Sequence, residues 1–254
     1  MGRRGAIAAI GGLAVLAAAA AWLAAPIPQD PGYHRLADAR AWLGIPNALN
    51  VLSNVGFLLV GGLGLAVLGT GVGGHAFREP GERWPYVIFF GGLVLTGIGS
   101  AYYHWEPGNE RLAWDRLPLA ITLMGLLAAT ITERIWVRVG LGLLGPLVAL
   151  GAGSVLYWHW TEQQGRGDLR LYALVQFYPL VAIPLMLWWL PPRYTGGMAL
   201  LGAAATYTAA KIPELLDGWF LTATHVVSGH TLKHLLAALA GYWVVRMVRN
   251  RRPA

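Results

Sequence analysis

Long, unbroken stretches of apolar residues dominate the chain, and polar residues are confined to the short segments between them. A membrane-spanning helix needs about 20 mostly apolar residues, whereas the strands of a membrane barrel alternate polar and apolar side chains. The pattern therefore predicts an all-α polytopic membrane bundle with eight spans, at roughly 5–25, 47–69, 84–104, 113–131, 136–157, 170–190, 196–214 and 230–248.

The composition supports a membrane protein. Of 254 residues, 56% are hydrophobic and 12% are charged, against about 25% charged residues in soluble domains. Eight spans leave no room for a sizeable soluble domain. The chain has no cysteine, which excludes disulfides, thiolate zinc ligands and a cysteine nucleophile.

The first span is treated separately, as an N-terminal helix within residues 1–28. It follows Arg3 and Arg4 and is rich in Ala, as a signal peptide would be. Its apolar run exceeds the usual signal-peptide core of about 7–15 residues, which favours a retained helix or signal anchor. Residues 29–254 then form a seven-span domain.

Charge is distributed unevenly between the two sides of the predicted bundle. With the N-terminus in the cytoplasm, the cytoplasmic ends hold eleven basic and three acidic residues, and the other side holds eight basic and nine acidic. Because cytoplasmic loops are enriched in Lys and Arg, both termini are expected in the cytoplasm, and the net charge of +7 needs no nucleic-acid partner. Abundant Ala, Gly and Arg suggest a bacterial inner membrane. Of seven histidines, only His75 falls on the cytoplasmic side.

Three segments rich in polar residues meet at the predicted outer side. The third span ends in "GSAYYHW", which holds Ser100 and His104. The fourth begins with "AWDRLP", which holds Asp115, and the eighth begins with "SGHTLKH", which holds His230 and His234. The topology was predicted from hydropathy and charge alone. The matched depth of these three polar segments is therefore independent support for a functional site.

The spacing of these residues suits a catalytic metal centre. His230 and His234 share one helix face, as do Ser100 and His104. Three imidazoles that leave a fourth position for water form a typical catalytic zinc site, in which the pKa of that water falls to about 7. Asp115 would orient the water and take its proton, and the Ser100 hydroxyl would donate to a developing oxyanion.

Structural readings of the same residues stay open. Chance alone gives roughly 0.2 histidine pairs at this spacing, and Asp115 beside Arg116 also suits an interfacial ion pair. Asn50 would cap or bridge helices, or line the site. Glu214 and Asp217 would hydrogen-bond a ligating imidazole or simply be solvated.

The ordered set "SAYYH", "WDRLP" and "HTLKH" resembles the alkaline ceramidase family, within a wider group of membrane hydrolases that includes adiponectin-receptor-like and Per1-like proteins. The shared pattern is S-x3-H, a downstream Asp and a C-terminal H-x3-H. "NVLSNVGFLLVG" also resembles the start of the first core helix of ceramidases. The resemblance covers roughly residues 33–248 and implies a seven-helix core with one additional N-terminal span.

The resemblance implies a zinc-dependent hydrolase that cleaves the amide bond of ceramide-like membrane lipids to a fatty acid and a sphingoid base. The residues that it assigns agree with those above: zinc at His104, His230 and His234, with Asp115 acting on the water and Ser100 on the oxyanion.

The resemblance does not carry calcium over to this chain. Eukaryotic ceramidases have an acidic calcium-binding stretch before the first core helix, but "QDPGYHRLADARAWLGIPN" offers only Asp30 and Asp38 as acids. Two other functions stay open. One is a lipid ester hydrolase on the same scaffold, and the other is a membrane receptor with a structural zinc.

Overall fold

The computed structural model describes residues 2–70 and 76–254, so His75 lies outside the described residues. These residues form a helical bundle, with no β-strand beyond two isolated bridges. The helices are α1 (Arg3–Leu23), α2 (Ala48–Leu52), α3 (Val55–Gly69), α4 (Trp84–Trp105), α5 (Asn109–Arg134), α6 (Val137–Gln163), α7 (Arg170–Trp189), α8 (Ala199–Ala209), α9 (Lys211–Leu215), α10 (Asp217–Thr224) and α11 (Gly229–Asn250).

Within the described residues, six helical stretches are long and apolar enough to cross a membrane. They are Arg3–Leu23, Ala48–Gly69, Pro80–Trp105, Asn109–Arg134, Val137–Gln163 and Arg170–Trp189. They coincide with the first six predicted spans. The prediction of an all-α, polytopic membrane bundle is therefore confirmed.

The last two predicted spans differ from the other six. The stretch 196–214 is not one helix, because α8 ends at Ala209 and α9 begins at Lys211. Pro213 explains the break, since its ring would clash with the carbonyl four residues earlier, that of Ala209. The stretch 230–248 lies within one continuous helix, α11, which is not among the six.

The second span also contains a break, between α2 and α3. The Ser53 hydroxyl donates to the Asn50 carbonyl at 3.1 Å, and the Asn54 amide donates to the same carbonyl at 2.8 Å. Side chains that bond to the backbone in this way compete with the helical ladder. The break brings Ser53 to the interior of the bundle, where it is 9% exposed.

The bundle has two chemically different ends. At the arginine-rich end, Arg251 pairs with Glu133 in the last turn of α5 and donates to the Ala76 carbonyl before α4. The Arg252 carbonyl accepts from the Thr195 amide before α8, and Arg193 pairs with Glu82. At the site end lie α2, α9, α10, the start of α11 and the segment 24–47, which we call the strap. The helix α1 packs against α7 and buries only Ala6 and Ile10.

Candidate metal centre

Three histidines meet inside the site end. His104 lies in the last turn of α4, and His230 and His234 lie in the first two turns of α11. They are 0%, 5% and 2% exposed. The Nε2 atoms of His104 and His230 are 3.2 Å apart, and one ring nitrogen from each of the three lies within 4.8 Å of the others. The structure thus brings together the imidazoles that spacing and topology predicted.

Two close helix contacts bring this region together. A Cβ atom on Gly99 would lie 2.1 Å from the Trp114 carbonyl oxygen, so α4 and α5 touch through their backbones immediately beside Ser100 and Asp115. A Cβ atom on Gly229 would lie 1.9 Å from the Pro213 carbonyl oxygen, so α9 and α11 touch beside His230. Only glycine permits either approach.

Ser53 holds the His234 ring, a contact that the sequence analysis missed. The Ser53 hydroxyl donates to the Asn50 carbonyl, so it accepts at 2.8 Å from the His234 Nδ1–H. That hydrogen bond assigns the proton to Nδ1 and leaves the Nε2 lone pair for a ligand. The signal was present, since Ser53 lies in the "NVLSN" stretch, but only the packing of α2 against α11 reveals its partner.

Asn50 and Asp217 support α11 through other groups than the imidazoles. The Asn50 amide donates to the Asp38 carbonyl at 3.0 Å, and its Oδ1 accepts from the Thr231 hydroxyl at 3.0 Å. Asp217 accepts from the backbone N–H of His230 at 2.7 Å and from that of Ala37 at 2.9 Å. Both residues therefore position the first turn of α11, and Asp217 also ties it to the strap.

Glu214 approaches the histidine cluster through a lysine. Its carboxylate accepts from Lys233 Nζ and from Lys211 Nζ, both at 2.9 Å. Lys233 Nζ also lies 3.1 Å from His230 Nε2. A metal ion bound to His230 Nε2 would occupy the lone pair that now faces Lys233. Lys233 would then keep Glu214 as its partner.

The strap adds contacts around the site. Tyr33 donates to Glu214 at 3.3 Å, and His34 Nδ1 lies 3.1 Å from the Tyr103 hydroxyl. Asp38 forms a two-pronged ion pair with Arg40, at 2.7 and 2.8 Å. The hydrogen bonds from Arg40 lower the pKa of Asp38. Asp30 accepts from the Gly32 N–H at 2.8 Å.

A cavity of about 620 Å³ opens beside the histidines, and Ser100, Asp115, His230 and His234 all line it. Neither the Ser100 hydroxyl nor the Asp115 carboxylate has a hydrogen-bond partner among the described residues. The described part of the chain holds no ion pair between Asp115 and Arg116. The carboxylate and the hydroxyl are thus available to a molecule in the cavity.

An apolar crevice adjoins the cavity between α4, α5, α7, α8 and α11. Hydrophobic side chains make up nearly all of its lining, including Leu123 and Ile183. Phe57, Leu119, Tyr207 and Ala237 line both spaces. The polar cavity of about 620 Å³ and the apolar crevice of about 60 Å³ therefore share part of their lining.

The three histidines fit a transition-metal site. Two facing neutral imidazoles can form one hydrogen bond between their Nε2 atoms, with one nitrogen as the donor and the other as the acceptor. A third imidazole nearby adds a nitrogen lone pair for which no donor is left. Nδ1 of His104 has no hydrogen-bond partner among the described residues. Three buried imidazole nitrogens suit zinc and also other first-row metals. The cluster is therefore a candidate metal site.

The comparisons with known proteins name no family for this chain. No protein-family model matches it, and no curated protein matches it in sequence. The resemblance to ceramidases therefore stays a prediction that rests on the three short motifs.

Proposed function

We propose that this chain is a zinc-dependent integral-membrane hydrolase that cleaves the amide bond of ceramide-like lipids to a fatty acid and a sphingoid base. One observation carries the proposal: His230, His234, Asp115 and Ser100 line a single cavity beside an apolar crevice, and His104 faces the two other histidines. Metal ligands, a free carboxylate, a free hydroxyl and space for hydrocarbon are the parts that such a reaction requires.

Each part of the site would have a distinct task. A zinc ion held by three imidazoles supplies a Lewis acid and makes water available as a nucleophile near neutral pH. Asp115, which meets no competing donor, accepts the proton of that water and later delivers it to the leaving nitrogen. Ser100 donates a hydrogen bond to the developing oxyanion. Ser53 keeps the proton of His234 on Nδ1.

The apolar crevice supports a lipid substrate over a soluble one. A lipid with its amide at the boundary between headgroup and acyl chain would present polar atoms to the cavity and hydrocarbon to the crevice. Each buried methylene adds about 0.8 kcal/mol of binding. Long-chain substrates should therefore be much better than short, water-soluble amides.

Two other functions compete with this one. An ester hydrolase would use the same groups, because its oxyanion forms in the same way. A receptor with a structural zinc is the alternative outside enzymology. Structural zinc sites usually have four protein ligands, whereas three imidazoles beside an open cavity favour catalysis.

The deciding experiment combines elemental analysis with a lipid-hydrolysis screen on the purified, full-length protein. We expect one zinc per chain, release of fatty acid and sphingoid base from long-chain ceramide in liposomes, and loss of both in His104→Ala. His159→Ala is the matched control, because His159 pairs with Glu110 outside the cavity. Cleavage of esters but of no N-acyl lipid would replace the amidase with the ester hydrolase. Bound zinc without any turnover would favour the receptor.

A further inference from the structure

Basic side chains collect around the cavity. The chain has two lysines among its 19 basic residues, and both line this one space. Arg35 and Arg116 line it as well. The placement of both lysines of the chain at a single cavity is unexpected for a site that takes only neutral molecules.

The acidic residues of the lining have other partners or tasks. Glu214 is bound by both lysines, and Asp217 accepts from two backbone N–H groups. Asp115 is required for proton transfer in the proposed reaction. The lining therefore holds four cationic side chains against three carboxylates, and no described carboxylate forms an ion pair with Arg35 or Arg116.

Arg116 is the most informative of these cations. It is 7% exposed, and it forms no ion pair with any described residue. Its guanidinium carbon lies 4.3 Å from the Trp158 ring centre and 5.0 Å from that of Tyr172. Its Nη2 donates to Gln29 Oε1 at 2.6 Å, whereas Nη1 has no partner among the described residues.

A buried guanidinium without a carboxylate is costly in a membrane protein and marks a functional site. Aromatic rings attract such a charge without neutralising it. Stacking also fixes the plane of the group, which prepares it for carboxylate or phosphate oxygens, its preferred partners. Arg116 thus lines the cavity, its buried Nη1 has no hydrogen-bond partner, and its charge forms no ion pair with any described residue.

We propose that the substrate lipid carries an anionic headgroup, a carboxylate or a phosphate, which Arg116 binds with help from Lys211. This inference rests on the proposed function for the reaction that follows binding. It narrows the substrate from N-acyl lipids in general to acidic ones, and it ranks neutral ceramide below them.

Turnover on matched lipids tests the inference. N-oleoylglycine and N-oleoylethanolamine share a chain and an amide and differ in headgroup charge. We expect the intact, zinc-loaded protein to favour the acidic lipid by roughly 10- to 100-fold in kcat/KM, the range of a charge-assisted hydrogen bond. Arg116→Gln should abolish that preference. Arg111→Gln, which changes an arginine of the same helix that pairs with Glu106 outside the cavity, should keep it.

Binding without turnover separates this inference from the proposed function. Dodecyl phosphate should bind the wild type more tightly than dodecanol by a similar factor, and Lys211→Gln should reduce this difference if Arg116→Gln does not fold. Charge-dependent binding without hydrolysis of any lipid would support the inference and contradict the proposed function. Equal hydrolysis of both amides would support the proposed function and contradict the inference. Charge selectivity for free oleate alone, with no preference between the two amides, would assign the anion site to the product and overturn the inference.

Discussion

The two ends of the bundle use their charged residues in opposite ways. At the arginine-rich end, all three acidic residues have basic or phenolic partners: Glu79 and Glu82 bind Arg193, and Glu133 binds Arg251 and Tyr86. At the site end, Asp115 and Ser100 have no partners among the described residues, and three imidazoles face one another.

The difference separates groups that hold the fold from groups that await a ligand. Buried polar groups are normally hydrogen-bonded, and an exception calls for a reason. The arginine-rich end joins the C-terminus to three other segments, which makes it a structural clamp. At the site end, the Ser100 hydroxyl and the Asp115 carboxylate line one cavity without partners among the described residues, and a metal ion and a substrate would supply them.

Removal of an imidazole should have the largest effect. His234→Ala leaves two protein ligands, so bound zinc should fall to near zero and hydrolysis by roughly 10³-fold or more. Elemental analysis and a lipid assay on the same preparation measure both. Retention of one zinc per chain would show that His234 is not a ligand. His159→Ala, at the same end but outside the cavity, should retain metal and activity.

Asp115→Asn comes next, because it removes the base and keeps the ligands. Turnover should fall by roughly 10²–10⁴-fold with zinc still bound. Since Asp115 makes no ion pair in the described structure, the unfolding temperature should not fall. Near-normal turnover would reduce Asp115 to a structural role. Glu110→Gln, an exposed carboxylate on the same helix, serves as the control.

The opposite pattern is expected at the arginine-rich end. Arg251→Met leaves Glu133 buried without its cation, which should cost about 3–5 kcal/mol of stability. Thermal unfolding in detergent should detect this loss, while zinc content and hydrolysis below the unfolding temperature stay at wild-type levels. Arg249→Met, at an exposed position two residues away, should change neither. Loss of zinc in Arg251→Met would mean that the two ends are not independent.

Ser53→Ala should give the smallest effect of the four. It removes the acceptor of the His234 Nδ1–H, and loss of such a support typically lowers metal affinity 10- to 100-fold. Competition with a zinc chelator measures the change. Ser154→Ala, which removes a buried serine bonded to a helix carbonyl in α6, controls for the loss of a hydroxyl. Equal affinity in both variants would contradict the role given to Ser53.

The sequence could predict whatever depends on local spacing. Apolar length predicted the first six spans, and the four-residue interval predicted that His230 and His234 would share a face. Pro213 was also a local signal for the end of α8, but the apolar run 196–214 concealed it. Apolar length indicates where helical segments lie without showing whether they are continuous.

The contacts between distant segments could not be predicted in this way. Ser53 is 181 residues from His234, and Arg116 is 87 residues from Gln29. Nothing in the local sequence tells which helix faces which. The alternative reading of Asp115 and Arg116 as an interfacial ion pair is not seen among the described residues, since sequence neighbours on a helix point in different directions and Arg116 stacks on Trp158.

The glycine contacts have a consequence for redesigning the pocket. Side chains that line the crevice, such as Leu119 and Phe57, offer positions at which a mutant library can vary volume and change which lipids are accepted. Gly99 and Gly229 offer no such freedom, because any added carbon meets a backbone oxygen at about 2 Å. In a library that varies these two glycines, many variants would have their helices forced apart. A library that keeps both glycines would test chain-length preference on an intact scaffold.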